Sequence, residues 1–372
     1  MAEEFRVTPY EVEGNIDYGV FAKNFGIDVI DARLEKRIER LAGESNYALR
    51  RHIIYAHRDL GWLLDEYEKG NKFYLYTGIA PSGAMHCGHL ISFMFTKWLQ
   101  DRFGAEVYLQ IPDEEKFLAK KGLTLEEIHG VAYENALDIV ALGFDPKKTK
   151  IFFDTEYAKT LYKQAVRVAK HITFSMMKDA FGYTNETNVG QIFYTSMQAV
   201  PAFLRSVEEE RNIPCLIPLG IDQDVHFRVA RDVLPKLGYY KPAIMHTKFM
   251  PGLDGRPKMS ASDPNNAIYL GDEPDLVKKK INKALTGQQA TAELQRKLGG
   301  DPEKCAICQY YKYLFEPDDK KLAKIFKAER DGTLLAGEHK AELASRINAF
   351  LEDHRKRKDR LRPKLEDFIV RD

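Results

Sequence analysis

The stretch Lys72–Pro112 constrains the fold more than any other part of the chain. It opens with the aromatic and apolar run KFYLYTG, passes through the loop IAPSGAMHCG, and continues as HLISFMFTKWLQDRFG before a second apolar run, EVYLQIP. Leu90, Phe93, Met94, Lys97 and Trp98 fall at helical spacing, and Gly104 supplies the stop signal. A strand, a loop, a helix and a second strand in that order form a right-handed parallel unit. Further strands are predicted at KIFF, PCLIPLGIDQD and PAIMHTKFM. Between them, Thr124 and Glu127 make a capping box ahead of Leu125, Ile128, Ala132, Asn135, Ile139 and Leu142. The fold class is therefore α/β, with a Rossmann-type parallel sheet. Ligands of such sheets sit beyond the carboxyl ends of the strands, so YTG, QIPDEEK and GIDQD should converge on one crevice.

The sequence on either side has a different character. Residues 1–70 look mainly helical and charged and read as an N-terminal extension to a catalytic domain over 71–268. From Tyr269 onward, charged helical segments such as DEPDLVKKKINKAL and KKLAKIFKAER predict a separate helical domain over 269–372. Lys and Arg number 56 against 55 Asp and Glu, so any contact with nucleic acid must come from local patches. Four cysteines in 372 residues, an N-terminus with early acidic residues and no apolar run of membrane-spanning length fit a cytoplasmic protein without membrane contact.

The loop Thr77–Leu90 carries the first chemical signal. A glycine-rich turn that enters a helix exposes backbone N–H groups and the positive end of the helix dipole, which favours phosphate. Neither a Walker lysine nor GxGxxG is present. His86 and His89, three apart, would project to one side of the first helical turn, where their N–H groups could donate to phosphate oxygens. Gly88 between them would leave room for a flat ring. Taken alone, the two histidines fit a surface or metal-site coincidence equally well.

The second signal is GRPKMSASD, Gly255–Asp263, just after the last predicted strand. Together, His86-Cys87-Gly88-His89 and Lys258-Met259-Ser260-Ala261-Ser262 resemble the paired HIGH and KMSKS fingerprints of class I aminoacyl-tRNA synthetases. Ala261 departs from that pattern, which has a second lysine there, so Lys258 must carry most of the loop's charge. The resemblance runs from about Tyr10 to the C-terminus and is strongest to tryptophanyl-tRNA synthetases of the archaeal and eukaryotic type, through FYLYTG, AMHCGHL, FTKWLQDRFG, SMQAVPAF, CLIPLGIDQD and KMSASDPN.

The resemblance implies an enzyme that activates L-tryptophan with ATP, accompanied by Mg²⁺ held mainly by the phosphates, and then charges tRNA(Trp). His86, His89, Lys258, Ser260 and Ser262 would be its catalytic electrostatics, acting neither as base nor as nucleophile. Gly78, Pro81, Ser82, Gly88, Asp222 and Met259 would contact ATP. Lys116 could also reach it, although a solvated lysine is the ordinary reading. Tyr76 and Gln110 match the positions that hydrogen-bond the indole nitrogen, Glu115 and Gln198 those that hold the ammonium, Tyr194 a nearby aromatic ring, and Gln223 a further substrate contact.

Tyrosyl enzymes share the fold and are the main competitor. Archaeal-type tyrosyl enzymes read Tyr-x-x-x-Gln-x-x-Asp on one helix, the carboxylate accepting from the substrate phenol. Here Tyr194 and Gln198 are followed by Pro201, so that carboxylate is absent. A synthetase-like binding protein without catalysis, and a nucleotidyltransferase of the same superfamily, are further alternatives.

The resemblance also implies a homodimer, built from an insertion over 113–211, and an anticodon-recognising role for the helical domain. The basic run HRKRKDRLRPK, His354–Lys364, could meet RNA phosphates or be a solvated helix face. Cys305-Ala-Ile-Cys308 lacks further metal ligands nearby in sequence and reads as packed thiols or a disulfide.

Overall fold

The computed structural model describes residues 17–259 and 263–372, together with the backbone of a short hairpin that pairs Arg6–Val7 with Val12–Glu13. Its centre is a seven-stranded sheet of β1 (Asp28–Val29), β2 (Ile54–Arg58), β3 (Tyr74–Gly78), β4 (Val107–Ile111), β5 (Thr149–Phe153), β6 (Cys215–Gly220) and β7 (Ala243–Thr247). The spatial order is β1-β2-β7-β6-β3-β4-β5. β7, β6, β3, β4 and β5 run parallel, while β1 and β2 are antiparallel additions at one edge. Every residue of β4 is buried, as a central parallel strand covered on both faces requires. The chain moves outward from β3 to β5 and then returns to the other side of β3 for β6 and β7. The crevice between the carboxyl ends of β3 and β6 is therefore the topological switch point.

The helices that frame this crevice are α1 (Cys87–Phe103), α2 (Asp113–Ala119), α3 (Leu125–Val140), α4 (Val189–Ala199) and α5 (Asp224–Val233). Gly104 ends α1 in the left-handed region at φ 61°, and Thr124 and Glu127 cap α3 reciprocally. The five strands and both of these helix limits lie where the sequence pattern put them.

Residues 1–70 differ from the mainly helical reading, because β1 and β2 belong to the central sheet. The helical pattern of ALRRHIIYAHRDLGWLLDEYEKG conceals β2. His52 and Asp59, both at φ 52°, turn the chain at its two ends without a glycine or proline to mark the breaks. Arg58 on β2 then donates to both oxygens of Asp224 at 2.9 Å and to the carbonyls of Phe25 and Gly26. This part of the chain thus buttresses α5.

The region after Tyr269 is helical, and its longest element is α6 (Ala336–Leu361). It shares one continuous core with the sheet, in which Ile268, Val277, Tyr310 and Leu343 join Leu90, Leu109 and Ile151. The chain end returns to the sheet edge, where Ile151 donates to Phe368 O and Val370 to Ile151 O, each at 2.8 Å.

Much of the basic run His354–Lys364 is spent on this docking. His354, Lys358 and Arg362, one helical turn apart, meet Asp138 and Glu134 of α3, and Arg355 meets Glu273. Lys356 and Arg357 pair with Glu352 and Asp353 on their own helix. The run is chiefly an intramolecular clamp rather than a bare cationic face.

Candidate active site

α1 starts at His86, whose backbone is extended (φ −121°, ψ 168°), so the imidazole itself is the N-cap. Its Nδ1 accepts from the Gly88 N–H at 3.2 Å, and Nδ1 of His89 accepts from the His86 N–H at 3.1 Å. Two histidines thus form the reciprocal capping box usually made by a hydroxyl and a carboxylate. The rings stack at 3.8 Å between centroids and 18° between planes. With both Nδ1 atoms occupied as acceptors, a neutral ring must carry its proton on Nε2.

Burial, followed by the Lys258 charge, lowers His86 to about 4. Burial, its partner ring and Lys258 lower His89 well below the ordinary histidine value. The pair is neutral at physiological pH and offers two Nε2–H donors held by the backbone. The flat ring against Gly88 is that of His86: a Cβ there would meet its Cε1 at 3.0 Å and the Met259 sulfur at 3.4 Å. A side chain at position 88 would therefore displace the His86 ring or the Met259 sulfur.

The second loop lies against the first. Cys87 N–H donates to Ile268 O and Leu270 N–H to Met85 O, both at 2.9 Å, which makes a bridge from His86 to Tyr269. Met259 is buried under Tyr310, and its N–H donates to Met250 O. Its side chain is a core anchor for the loop, so the side chain does not reach a nucleotide. Lys258 donates to Asp222 at 2.8 Å and lies 4.7 Å from the Phe249 ring centre. Its neighbours Ser260 and Ser262 lie outside the described residues.

Asp222 follows β6 in a single 3-10 turn, Ile221–Gln223, and Gln223, half-buried, precedes α5. Behind this turn, Phe21, Ile27 and Tyr55 from the N-terminal residues pack against Ile221 and Phe249. Gly78 has a backbone reason to be glycine, since a Cβ would meet the Gln110 carbonyl oxygen at 2.4 Å. Pro81 is buried and Ser82 exposed, with the Ser82 N–H turned to Ala80 O.

On the other side of the crevice, the Tyr76 hydroxyl lies 2.5 Å from Gln110 Oε1 and 3.0 Å from Gln198 O. Gln110 Nε2 donates to Asp154 Oδ2 at 2.7 Å, which fixes the amide so that Oε1 faces Tyr76. Asn188 caps α4 by accepting from the Gln191 N–H and donates to Leu118 O, tying α4 to α2. Asp113, at the start of α2, accepts from the Thr155 N–H beyond β5. This framework brings Glu115, Tyr194, Gln191 and Tyr183 around one pocket. Gln198 Oε1 is buried without a partner, an acceptor that a substrate ammonium would satisfy. Glu115 accepts from Lys116 at 3.0 Å, which leaves Lys116 engaged with the acid beside it.

Two residues of this pocket escaped the sequence reading. Asp154 is buried, and Glu114 is half-buried with both carboxylate oxygens shielded from solvent; burial and the Asp154 charge hold Glu114 well above the carboxylate range. Burial, offset in part by the Glu114 hydrogen bond, raises Asp154 to about 7. Asp154 orients Gln110. His226, on α5, is also buried beside Tyr194, its ring 6.0 Å away, and burial lowers it to about 3. The clue for Asp154 was its place directly after KIFF, at a strand end like Gln110.

Residues 68–352 match the family described as class I tRNA synthetases (W and Y). A tryptophan–tRNA ligase of Sulfolobus acidocaldarius is 47% identical over 97% of this chain and 94% of its own length. That of Pyrococcus furiosus is 47% identical over 99% and 94%. Among solved structures, tryptophanyl-tRNA synthetase from Plasmodium falciparum superposes with a TM-score of 0.89 at 38% identity, covering 95% of this chain and 97% of that one. The Encephalitozoon cuniculi synthetase bound to tryptophan gives 0.88 at 36% identity, covering 96% and 98%. Two histidine donors facing a lysine loop across a parallel-sheet switch point, together with these likenesses, establish that the chain belongs to the tryptophanyl branch of the class I tRNA synthetases.

Proposed function

We propose that the crevice activates L-tryptophan with ATP, releasing pyrophosphate, and passes the tryptophanyl group from the adenylate to tRNA(Trp). The observation that carries this reading is the pair of stacked, neutral imidazoles whose Nδ1 atoms are committed to the backbone. The substrate carboxylate attacks the α-phosphorus and the bond to the pyrophosphate oxygen breaks. Charge therefore grows on the leaving phosphates, where preorganised donors lower the barrier most. His86 and His89 supply those donors through Nε2–H. Lys258 leaves Asp222 to neutralise the triphosphate, and Asp222 becomes available to the ribose. Ser260 and Ser262 add neutral hydrogen bonds, Gly78, Pro81 and Ser82 shape the loop over the nucleotide, and Gln223 contacts the amino acid.

ATP enters as its Mg²⁺ complex, with the ion on the phosphates. Among the described residues, the only group of three or more metal-ligand side chains lies in the helical region, far in sequence from the histidines.

Indole recognition follows from the Tyr76–Gln110–Asp154 chain. An indole offers one N–H donor, and Gln110 Oε1 and Tyr76 Oη are the two acceptors at hand. Glu115 exchanges Lys116 for the substrate ammonium, which Gln198 Oε1 also accepts. Asp154 accepts from Gln110 through Oδ2, so it acts on the substrate through the Gln110 amide rather than in place of the tyrosyl-type carboxylate.

The protein acts as a cytoplasmic homodimer, and none of its four cysteines is held in a disulfide. Phe117, Tyr162, Val166, Phe174 and Val189, large apolar side chains exposed within 113–211, support a dimer face there. The helices of 269–372 serve anticodon recognition. Incubation with tryptophan, ATP and tRNA(Trp) should yield an aminoacyl ester on the tRNA. Nucleotide binding without adenylate or ester would favour a non-catalytic binding protein.

A further inference from the structure

The Cys305-Ala-Ile-Cys308 pair has no further ligands close by in sequence, yet the fold brings two to it. Glu329 ends the helix Asp319–Arg330, and His339 lies in the first turn of α6. One ligand atom from each of Cys305, Cys308, Glu329 and His339 lies within 4.8 Å of every other, and all four residues are buried. Tetrahedral zinc with sulfur at about 2.3 Å and nitrogen or oxygen near 2.0 Å needs ligand separations of about 3.3–3.8 Å, a contraction that side-chain rotations supply.

The hydrogen bonding points the same way. Neither ring nitrogen of His339 makes a hydrogen bond, Nδ1 standing 3.5 Å from Glu329 Oε2, although the ring is 1% exposed and stacks at 8° on Tyr311. Glu329 Oε1 is likewise unpartnered, while Oε2 accepts from Gln288 at 2.7 Å. An acid and an imidazole buried this deeply are normally satisfied, and a cation between them would satisfy both. Gln288 then acts as the outer partner that orients a ligating carboxylate.

We propose that Cys305, Cys308, Glu329 and His339 form a structural zinc site, closed to substrate. Two thiolates select against magnesium and calcium, and two sulfurs with one nitrogen and one oxygen suit zinc rather than an iron–sulfur cluster. With four protein ligands no position is left for water, so the site is structural. It pins the turn at Ala306 and the helix Asp319–Arg330 to the start of α6, whose far end docks on α3 through His354 and Lys358.

The test uses the full chain, purified under reducing conditions without chelator, with zinc counted by mass spectrometry and the depleted protein titrated with Co²⁺. The expected result is one zinc per chain and, at one Co²⁺ per chain, a thiolate charge-transfer band with tetrahedral visible bands. Cys305→Ser and His339→Ala should each weaken Co²⁺ binding by at least about 100-fold. Because these variants could unfold, the wild-type spectrum decides by itself. Folded, reduced wild-type protein with neither zinc nor the charge-transfer band overturns the proposal. So does metal that stays bound with unchanged affinity in a Cys305→Ser/Cys308→Ser double variant.

Discussion

His86 carries two duties on one ring, and replacing it with asparagine separates them. Nδ1 caps α1 through the Gly88 N–H, while Nε2–H is the donor offered to the triphosphate. Asparagine is among the best N-cap residues, and its side-chain oxygen can take over the bond to Gly88, so His86→Asn should keep the helix start. His86→Ala loses the cap, worth about 1 kcal/mol, in addition to the ring that packs over Gly88 and stacks on His89. Both variants lose one preorganised donor to the phosphates. By analogy with a single oxyanion-hole donor, that loss is about 3–4 kcal/mol, or about 10²–10³ in the rate of adenylate formation.

The assay pairs single-turnover adenylate formation with thermal melting. The expected outcome is a rate lowered equally in both variants, with a clear loss of melting temperature only in the alanine variant. Acidification adds a further check. The folded ring sits near pKa 4 against 6.5 in the unfolded chain, so the wild type loses up to about 3 kcal/mol as pH falls from 6.5 to 4. His86→Asn should be spared that loss. A variant that forms adenylate within threefold of wild type, or that melts as early as His86→Ala, would refute the division of roles.

Lys258→Ala should slow adenylate formation by about 10²–10³ while tryptophan affinity, read by calorimetry, changes less than about threefold; an unchanged rate removes Lys258 from the mechanism. Gln110→Ala strands Asp154 and Tyr76 and should reduce kcat/KM for tryptophan by about 10–100-fold, eroding the preference over tyrosine. An intact preference would place indole recognition elsewhere. Glu114→Gln tests the raised Glu114 carboxyl. The raised Glu114 stabilises the fold in its protonated form below pH 4.5, and that contribution is lost as pH rises. The glutamine variant should therefore melt no lower than wild type at pH 7 and show a flatter pH profile above 4.5. A large destabilisation at pH 7 would mean that the carboxylate form is the one the pocket holds.

The parallel sheet was legible because buried strands such as VYLQI are apolar along their whole length, and because Gly104 and Thr124 mark helix limits chemically. β2 was hidden because its turns use His52 and Asp59 at positive φ, where no residue type announces the bend. In the crevice, the strand ends placed Tyr76 and Gln110, whose indole role came only from the family resemblance, and the motif pair singled out His86, His89 and Lys258. Single-chain patterns could not say that Met259 anchors its loop in the core, that the His86 ring packs over Gly88, or that Asp154 orients Gln110. The first and the last depend on contacts between segments far apart in sequence. The clamp between α6 and α3 was masked in the same way, since Asp138 and Glu134 lie more than 200 residues from Lys358 and Arg362.

The most direct measurement is the exchange of labelled pyrophosphate into ATP with purified protein and single amino acids. Exchange that depends on tryptophan and is at least about 10³-fold weaker in kcat/KM with tyrosine is the expected result, given a site whose polar groups pair with an indole N–H. Exchange supported by tyrosine but not by tryptophan would contradict the reading of Tyr76 and Gln110, and no exchange with either would contradict the role assigned to the crevice itself.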